Sequence, residues 1–413
     1  YGPVRTALEK SIEILDYYGL EMEMGHKEVG GVKSKITSSG THDHIMEQLE
    51  IDWKYSDAMQ ACDNEKLVKY VVRDVFNQFG LNTNFMAKPI GGVAGNGEHT
   101  HIGVCAKLKN GKMTNLFAPE KMQEEFLTPI GFGALMGILK NYEAINPFVS
   151  STNDSLNRLK PGYEAPVCIV TSFGHSPADP SRNRTVLIGL IRNAQNPMAT
   201  RFELRAPNPK SNTYLVLASS YMAMTDGIHA ALENEKSAKD LEKSLSKKRG
   251  EEDFYLEKDR EYRSEKDVFE DFTEEERNEL FGRAPKTVWE NLKGFADYPE
   301  KMLAIMGDSV ITPISLESYK TSILSQWKTE LHNRIIPNHM DYVRECVKIH
   351  GDDATDYDLE NWAHIDRLRH YIAKDSLHEK SLLTRASEAL DNDDYDLASE
   401  LQVELSQKIE QLR

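Results

Sequence analysis

The sequence predicts an α+β fold that continues into a helical C-terminal region, and three zones of composition support this. In residues 1–232, short apolar runs alternate with Gly, Pro and Asn, which is typical of mixed helices and strands. Residues 233–299 are dominated by charge, and there we predict a solvated helical segment, with a partner-binding tail as the alternative. Residues 300–413 show the apolar periodicity of amphipathic helices.

Composition excludes several classes of protein. The chain has 413 residues and a formal net charge of -16, so its surface repels nucleic-acid backbones, although a local arginine cluster can still bind a small anion. No run approaches about 18 consecutive apolar residues, which excludes a membrane span. The four cysteines form no CxxC pair, and we predict buried free thiols in a reducing cytosol. The chain begins Tyr1-Gly2-Pro3 without a Met, so we expect a fragment or a processed piece.

Two histidines follow a glycine-rich turn. If His99–Cys105 form a strand, alternation places the imidazoles of His99 and His101 on one face, where they can bind a divalent metal or contact phosphate. On the motif alone, a hydrogen-bonded structural pair is at least as compatible. The glycines at 91–97 favour a tight loop in which backbone approaches a ligand, with an ordinary hairpin turn as the alternative.

A second charged motif alternates with apolar residues. As a strand, RFELR would bury Phe202 and Leu204 and present Arg201, Glu203 and Arg205 on the opposite face. The carboxylate can bind metal while the arginines bind anionic oxygens. The pattern alone favours the other interpretation, a solvated face with cross-strand ion pairs.

Two loops carry further candidates. In NRLKPGYEAPV, Arg158 precedes a Pro-Gly turn and Glu164 lies at its tip, where a carboxylate can serve as a base or in a lid, or simply belong to a turn. In PSRNRTV, Arg182 and Arg184 flank Asn183 and predict either an anion clamp or a surface loop.

Two glutamates near the N-terminal end complete the candidates. Glu28 and Glu50, together with a His and a further Glu, would suit a hard divalent cation such as Mg²⁺ or Mn²⁺. His42, Asp43 and His44 lie between them and offer a separate metal cluster, although a solvated insertion is favoured there.

Taken in order, these motifs resemble the catalytic domain of glutamine synthetase. The resemblance covers about Tyr1 to Ile228 and rests on HKEV, EIDWKY, FMAKP, GxGxHxH, NPFVSSTNDSLNRLKPGYEAPV, SRNR and RFELRAPNP. It implies an α+β domain whose curved antiparallel sheet carries the motifs on inward-facing strands, with helices outside. It also implies a cytoplasmic, ring-shaped homo-oligomer.

The resemblance implies a role for each matched residue. Glu28 and Glu50 resemble the ligands of a first metal, and His99 and Glu203 those of a second, with Mg²⁺ or Mn²⁺ as the ions and ATP as co-substrate. By the same resemblance, His101 and Arg201 would contact the nucleotide phosphates, and Arg158 and Arg205 would hold the carboxylates of glutamate. Arg184 would contact the transferring phosphoryl group. Glu164 would be a lid residue that accepts a proton.

The implied reaction joins ammonia to the side-chain carboxylate of L-glutamate through a γ-glutamyl phosphate, giving glutamine, ADP and phosphate. The expected partners are therefore ATP, L-glutamate and ammonium, with no nucleic acid and no membrane. Two alternatives remain open. One is a ligase for another amine, such as methylamine, ethanolamine or a polyamine, and the other is a non-catalytic assembly or regulatory subunit.

The sequence departs from the family pattern at several positions. Ala94-Gly95 replaces the usual Asn-Gly before the HxH motif, and Glu98 replaces an apolar residue. At the position where the family has an arginine that contacts phosphate, this chain has Gly189. That contact is therefore either lost or supplied elsewhere, with Arg192 as a candidate. About a dozen extra residues separate Glu28 from Glu50, which, with the long C-terminal zones, suggests a divergent, longer prokaryotic type.

The family pattern also includes a part that the sequence does not match. In glutamine synthetases a small N-terminal β-grasp domain and a strand with two more metal-binding glutamates precede the matched region. We therefore expect this chain to be the catalytic C-terminal portion of a longer synthetase, impaired or inactive when isolated.

Overall fold

The computed structural model describes residues 2–32, 46–160 and 168–412, and the chain divides into two units. We call them the mixed unit and the helical unit. The mixed unit comprises Tyr1–Ala284 and Tyr298–Ile311. The helical unit comprises Pro285–Asp297 and Thr312–Arg413. Most of the charged zone therefore belongs to the mixed unit, a division that differs from the three predicted parts.

The strands of the mixed unit form one central sheet and three two-stranded pairs within the described residues. They are β1 Met22–Val32, β2 Met46–Trp53, β3 Thr100–Ile102, β4 Cys105–Lys107, β5 Met113–Asn115, β6 Thr171–Ser172, β7 Gly174–Ser176, β8 Asp179–Pro180, β9 Ile188–Ile191 and β10 Arg201–Leu204. The central sheet has the order β3-β10-β9-β6. Its first three strands are antiparallel, whereas β6 runs parallel to β9, so the predicted antiparallel sheet has one parallel pair at its edge.

Helices surround these strands and make up the helical unit. They are α1 Pro3–Tyr17, α2 Ala58–Gln78, α3 Pro129–Lys140, α4 Tyr142–Val149, α5 Asn153–Arg158, α6 Thr213–Glu233, α7 Ala238–Leu245, α8 Glu274–Phe281, α9 Val288–Asp297, α10 Pro299–Ile305, α11 Pro313–Glu330, α12 Ile336–Glu345, α13 Asp356–Ala373, α14 Leu382–Asp391 and α15 Tyr395–Gln411. Helix α9 and helices α11 to α15 lie in the helical unit.

The pair β1–β2 forms a ribbon whose two faces differ in polarity. Leu49, Ile51 and Trp53 pack against α1 and α2, around the buried side chains of Leu15 and Phe76. Because side chains alternate along a strand, the positions between them face the other way and are polar. This second face carries the first group of candidate site residues.

Helices α3 and α6 pack closely because glycines lie at their contact. A Cβ atom on Gly137 would lie 2.0 Å from the Ala223 carbonyl oxygen, and one on Gly227 would lie 2.1 Å from that of Gly133. No larger residue fits at these positions without moving backbone. Phe132 of α3 is buried, and its ring contacts that of Phe173, the residue between β6 and β7.

The charged zone does not form a continuous solvated helix. Within the mixed unit α7 and α8 are helical, whereas residues 246–273 between them are not. Several of its polar side chains are buried, including Lys247 and Arg277. These residues belong to the packed interior of the unit, which composition alone did not indicate.

The helical unit confirms the predicted amphipathic helices. Trp327 of α11 is buried and donates a hydrogen bond from Nε1 to Gln402 Oε1 of α15 at 2.9 Å. A π-helical turn, Leu331–Ile335, joins α11 to α12. Pro337 has no N–H to donate and its ring crowds the preceding turn, which accounts for the widened helix.

Two predictions from composition have different outcomes. Within the described residues, no helix is long and apolar enough to cross a membrane. Cys62 and Cys168 are buried free thiols, as predicted. Cys105 is exposed and Cys346 half-buried, so the prediction is wrong for them; Cys105 lies on β4, part of a two-stranded pair with β5 outside the central sheet.

Candidate active site

The polar face of the β1–β2 ribbon gathers three possible metal ligands. His26 and Glu50 are cross-strand partners, and Glu28 lies two residues beyond His26 on the same face. The His26 Nε2 atom lies 3.2 Å from Glu28 Oε1 and 3.7 Å from Glu50 Oε2. One ligand atom from each residue falls within 4.8 Å of the other two, close enough to share a cation. The structure therefore brings the two predicted glutamates together and adds His26.

Carboxylates on this face are held close to one another. Burial raises the pKa of Glu50, and the neighbouring Glu28 and Asp52 raise it further. Burial also raises the pKa of Asp52, opposed by the positive potential of His26 and His99. Crowded carboxylates of this kind gain from a divalent cation, which neutralises their mutual repulsion.

We predict that metal affinity at the ribbon falls with falling pH, and that the fall begins at a higher pH than for an ordinary glutamate, because the pKa of Glu50 is raised. A carboxylate with a raised pKa takes up a proton earlier than an ordinary one as the pH falls, and the proton competes with the cation. The Glu203→Gln variant lacks an expected ligand of the second metal position but retains the ribbon ligands. A Mn²⁺ titration of this variant should therefore show the loss of affinity at the ribbon. Glu50→Gln in the same background should weaken binding at pH 7. If the Mn²⁺ affinity did not change between pH 7 and pH 4, the assignment of the ribbon carboxylates as metal ligands would be wrong.

The second group of candidates lies on one face of the central sheet. Glu203 pairs with His101 across β10 and β3, and Phe202 pairs with Ile102. Phe202 and Leu204 are fully buried, so the predicted alternation of RFELR is confirmed. The charged residues occupy the opposite face with both histidines.

Direct contacts join these charged side chains. His99 Nδ1 lies 3.0 Å from Glu203 Oε1, and Arg205 Nη1 donates to the same oxygen at 2.6 Å. Arg201 Nε donates to His101 Nδ1 at 2.7 Å. The motif alone favoured cross-strand ion pairs over a binding face. In the structure, the Arg205–Glu203 pair lies within one segment of chain rather than across strands, and the contacts to the neighbouring segment are made with His99 and His101.

The cluster fixes the charge state of its members. Burial opposes ionisation of Glu203, but the His99 hydrogen bond and the Arg205 charge prevail and lower its pKa to about 2. Desolvation and the charge of Arg201 lower the pKa of His101 to about 4. Desolvation likewise lowers the pKa of His99. Near neutral pH the face therefore offers an ionised carboxylate and neutral imidazoles, the forms that bind metal.

Glycines in the preceding loop make room for Arg158. A Cβ atom on Gly97 would lie 2.5 Å from Arg158 Nη2 and 3.1 Å from His99 Nε2. Arg158 is buried and donates to the carbonyl oxygens of Ala206 and Arg205 at 3.0 and 3.2 Å. Burial, and then the nearby Arg205, lower its pKa to about 10. The close approach that the glycines predicted is thus to an arginine of the site itself.

Gln48 links the ribbon to this loop. Its Nε2 donates to the Gly95 carbonyl and to Asn96 Oδ1, both at 2.8 Å. It lies on the same ribbon face as Glu50, two residues away. The two groups of candidates are therefore held together by a direct contact. Sequence reasoning missed both Gln48 and His26, although each alternates with a predicted glutamate.

Glu98 points away from the site. Its carboxylate accepts from Thr213 Oγ1 at 3.1 Å and lies 3.1 Å from Lys69 Nζ, which also donates to the Pro209 carbonyl at 2.7 Å. This half-buried pair ties α2 to the loop that carries His99. The departure from the family pattern at this position is therefore a packing feature.

The SRNR loop and strand β9 lie beside Arg205 and Glu203, and Gly189 of β9 occupies the position where the family has an arginine. Arg182 and Arg184 are exposed, and the Arg184 carbonyl accepts from Arg205 Nε at 3.1 Å. Gly189 pairs with Glu203, and a Cβ atom there would lie 3.5 Å from Glu203 Oε2. On the β9 side, the residue that pairs with Glu203 therefore contributes no side chain to the site.

Arg192 does not replace that arginine. It lies three residues after Gly189 and just beyond the end of β9. Its Nη2 donates to the main-chain carbonyls of Met122 and Glu125, the latter at 2.9 Å. The expectation for Arg192 is therefore wrong. Four other candidates lie outside the described residues, namely His42, Asp43, His44 and Glu164.

Comparison with known proteins decides the family. The family described as glutamine synthetase, catalytic domain, matches residues 5–255, more than half of the chain. The chain belongs to the glutamine synthetase catalytic-domain family. It is 36% identical to glutamine synthetase of Clostridium saccharobutylicum over 214 residues, which are 52% of this chain and 41% of that protein. It is also 36% identical to that of Pyrococcus horikoshii over 222 residues, 54% and 42% of the two chains.

A solved glutamine synthetase shares the fold. The Plasmodium falciparum enzyme aligns with a TM-score of 0.54 and 20% identity, covering 86% of this chain and 61% of that one. The predicted glutamine synthetase-like α+β fold is therefore confirmed. The chain spans less than half the length of the curated relatives it matches.

Proposed function

We propose that the protein catalyses the ATP-dependent ligation of ammonia to the side-chain carboxylate of L-glutamate through a γ-glutamyl phosphate. The observation that best supports this is the cluster of His99, Glu203 and Arg205 on one face of the central sheet. The loop that precedes His99 is hydrogen-bonded to Gln48 of the ribbon that carries the other candidate carboxylates. Phosphoryl transfer depends on positioning and on neutralising the oxygens of the transferring group, and this cluster combines metal ligands with fixed positive charge.

Two metal positions would lie on these two faces. Glu28 and Glu50, with His26, would hold the first Mg²⁺ or Mn²⁺, and His99 and Glu203 would hold the second. The donor sets fit, because both combine carboxylate oxygens with imidazole nitrogen, which Mn²⁺ accepts and Mg²⁺ tolerates. When bound, such ions neutralise charge on phosphate oxygens.

The arginines would bind the two substrates. His101 and Arg201, already hydrogen-bonded to each other, would contact the phosphates of ATP. Arg205 and Arg158 would hold the carboxylates of glutamate. Because Arg158 is anchored by main-chain carbonyls, it would supply a fixed charge with little freedom to reorganise.

Arg184 and Glu164 would serve the chemical steps. Arg184 would stabilise the transferring phosphoryl group as its charge spreads over the oxygens. Glu164 would close over the site, shield the acyl phosphate from water and accept a proton from ammonium, which is not nucleophilic until it loses one.

Trapping of the γ-glutamyl phosphate tests this proposal against the two alternatives, a ligase for another amine and a non-catalytic subunit. The 413-residue chain is incubated with ATP, glutamate and Mg²⁺ or Mn²⁺, with hydroxylamine to capture an acyl phosphate as the hydroxamate. Because the chain is expected to be impaired when isolated, we expect slow ATP-dependent hydroxamate formation, and faster product formation with ammonium than with methylamine, ethanolamine or a polyamine. Preference for another amine would indicate the ligase for another amine. No hydroxamate despite metal-dependent nucleotide binding would indicate a non-catalytic subunit only if adding the N-terminal portion of the longer synthetase also fails to produce it.

We also propose that the protein acts in the cytoplasm as a homo-oligomeric ring. The family resemblance supports this assembly. Light scattering of the purified protein measures the number of subunits, and a monomer at assay concentrations would contradict the proposal.

A further inference from the structure

The middle of the charged zone lies along the edge of the central sheet. Arg263 forms a parallel bridge with Thr171 of β6. Thr171 N donates to the Tyr262 carbonyl at 2.9 Å, and Ser264 N donates to the Thr171 carbonyl at 3.0 Å. Residues 262–264 thus pair with β6 on the side opposite β9. The zone that the composition assigned to solvent or to a partner is part of the sheet.

The next residue, Glu265, is bound by donors from the turn after β6. Its carboxylate accepts from Gly174 N at 2.8 Å, from Phe173 N at 3.3 Å and from Arg263 Nε at 2.8 Å. It also accepts from the Ser172 hydroxyl. Burial opposes ionisation, but these donors prevail and lower the pKa of Glu265. An ionised, partly buried carboxylate with four donors is a strong local anchor.

The same segment continues along the SRNR loop. Asn183 Nδ2 donates to the Lys266 carbonyl at 2.7 Å, and Val268 N donates to Thr185 Oγ1 at 3.0 Å. Asn183 Oδ1 in turn accepts from Thr185 N at 2.9 Å. The residues on both sides of Arg184 are therefore tied to residues 266–268.

The anchor and the loop are connected. The Ser172 hydroxyl, which binds Glu265, lies 2.5 Å from the Ser181 hydroxyl, and Ser181 Oγ accepts from Asn183 N at 3.1 Å. From the other side, Arg205 fixes the Arg184 carbonyl. The backbone at Arg184 is thus held between the sheet face and the charged zone, while its side chain is exposed.

We propose that residues 262–268 position the SRNR loop, and that Glu265 is the positioning residue on which this depends. This inference rests on the proposed function of Arg184. An arginine on a long flexible side chain stabilises a transition state only if its backbone is fixed in advance, because ordering it during the reaction would cost entropy. The charged zone supplies that order from outside the matched motifs.

Two variants and one control test the proposal in the full chain. Glu265→Gln keeps an acceptor oxygen but loses the charge, and Asn183→Ala removes the bond to the Lys266 carbonyl. Glu270→Gln changes an exposed glutamate of the same segment and is the matched control. Each is compared with the unmodified chain by hydrogen–deuterium exchange of residues 171–185, by thermal melting, and by affinity for Mg–ADP and for Mg–ADP–aluminium fluoride.

We expect faster exchange of residues 171–185 in both variants and not in the control. We further expect at least about a tenfold loss of affinity for the aluminium fluoride complex, a mimic of the transferring phosphoryl group, with Mg–ADP affinity unchanged. A general loss of structure would weaken both ligands equally.

The possible failures are distinguishable. Unchanged exchange in both variants would overturn the inference, whatever the activity of the protein. Faster exchange with unchanged affinity for the aluminium fluoride complex would show that the segment holds the loop without positioning Arg184, which also overturns it. An unmodified chain that does not prefer the aluminium fluoride complex to Mg–ADP would count against the proposed function instead, and exchange alone would then decide whether the segment orders the loop.

Discussion

Glu203→Gln should abolish metal-dependent nucleotide binding, with a loss of affinity of at least about 100-fold. Even residues that only support a metal ligand change affinity by about 10–100-fold when replaced, and Glu203 is proposed as a ligand itself. The amide keeps the shape of the side chain but removes the charge that binds metal and pairs with His99 and Arg205. Calorimetry with a non-hydrolysable ATP analogue and Mg²⁺ or Mn²⁺ measures the effect.

Glu120→Gln is the control for this experiment, because Glu120 is an exposed glutamate of the same unit. It should bind as the unmodified chain does. If Glu203→Gln retained metal-dependent binding within about threefold, the nucleotide site could not lie on β10. Binding in neither form would mean that residues beyond this chain complete the site.

The face that carries Glu203 was predictable from the sequence because strand alternation is local. RFELR specifies by itself which side chains are buried, and the structure confirms Phe202 and Leu204 as core. His101 of β3 follows the same rule and lies beside it as the cross-strand partner of Glu203, whereas His99 precedes β3. Their roles in binding stay predictions, since alternation shows where a side chain points and not what it binds.

The features that sequence reasoning missed depend on contacts between distant residues. His26 becomes a candidate ligand only when β1 pairs with β2 in a register that places it opposite Glu50. Arg192 is close to Gly189 in the sequence, but its guanidinium is bound by main-chain carbonyls of Met122 and Glu125, residues that the sequence gives no reason to place there. The charged zone was assigned to solvent because composition does not reveal which charges have buried partners.

The charged zone also takes part in a buried network of ion pairs, and this network leads to a prediction about the free energy of unfolding. Glu143 of α4 and Glu257 each contact both Arg260 and Lys301, with Lys301 Nζ at 2.9 and 2.7 Å from the two carboxylates. The side chains of Arg260, Glu143 and Lys301 are only 12%, 14% and 6% exposed. This ring of four charges joins α4 and α10 to residues 257–260 of the charged zone.

Glu143→Gln should destabilise the mixed unit by about 3 kcal/mol, because it leaves two buried cations with a single carboxylate. Glu124→Gln is the control: it breaks an exposed pair with Lys121, 67% exposed on each side, and should cost much less because solvent screens the pair. Guanidinium unfolding of the three proteins measures the difference. A cost for Glu143→Gln no larger than that of the control would mean that the ring adds nothing to the free energy of unfolding.

The double variant Glu143→Gln with Lys301→Met separates repulsion between the cations from loss of packing. Removing one charge of each sign restores balance, so the double variant should be less destabilised than the sum of the single ones. Because the ring holds the residues that lead directly into 262–268, Glu143→Gln should also speed exchange in residues 171–185, and the double variant should reverse part of that change. Strict additivity would show that the ring acts through packing alone, and the order of the SRNR loop would then depend on Glu265 without help from these charges.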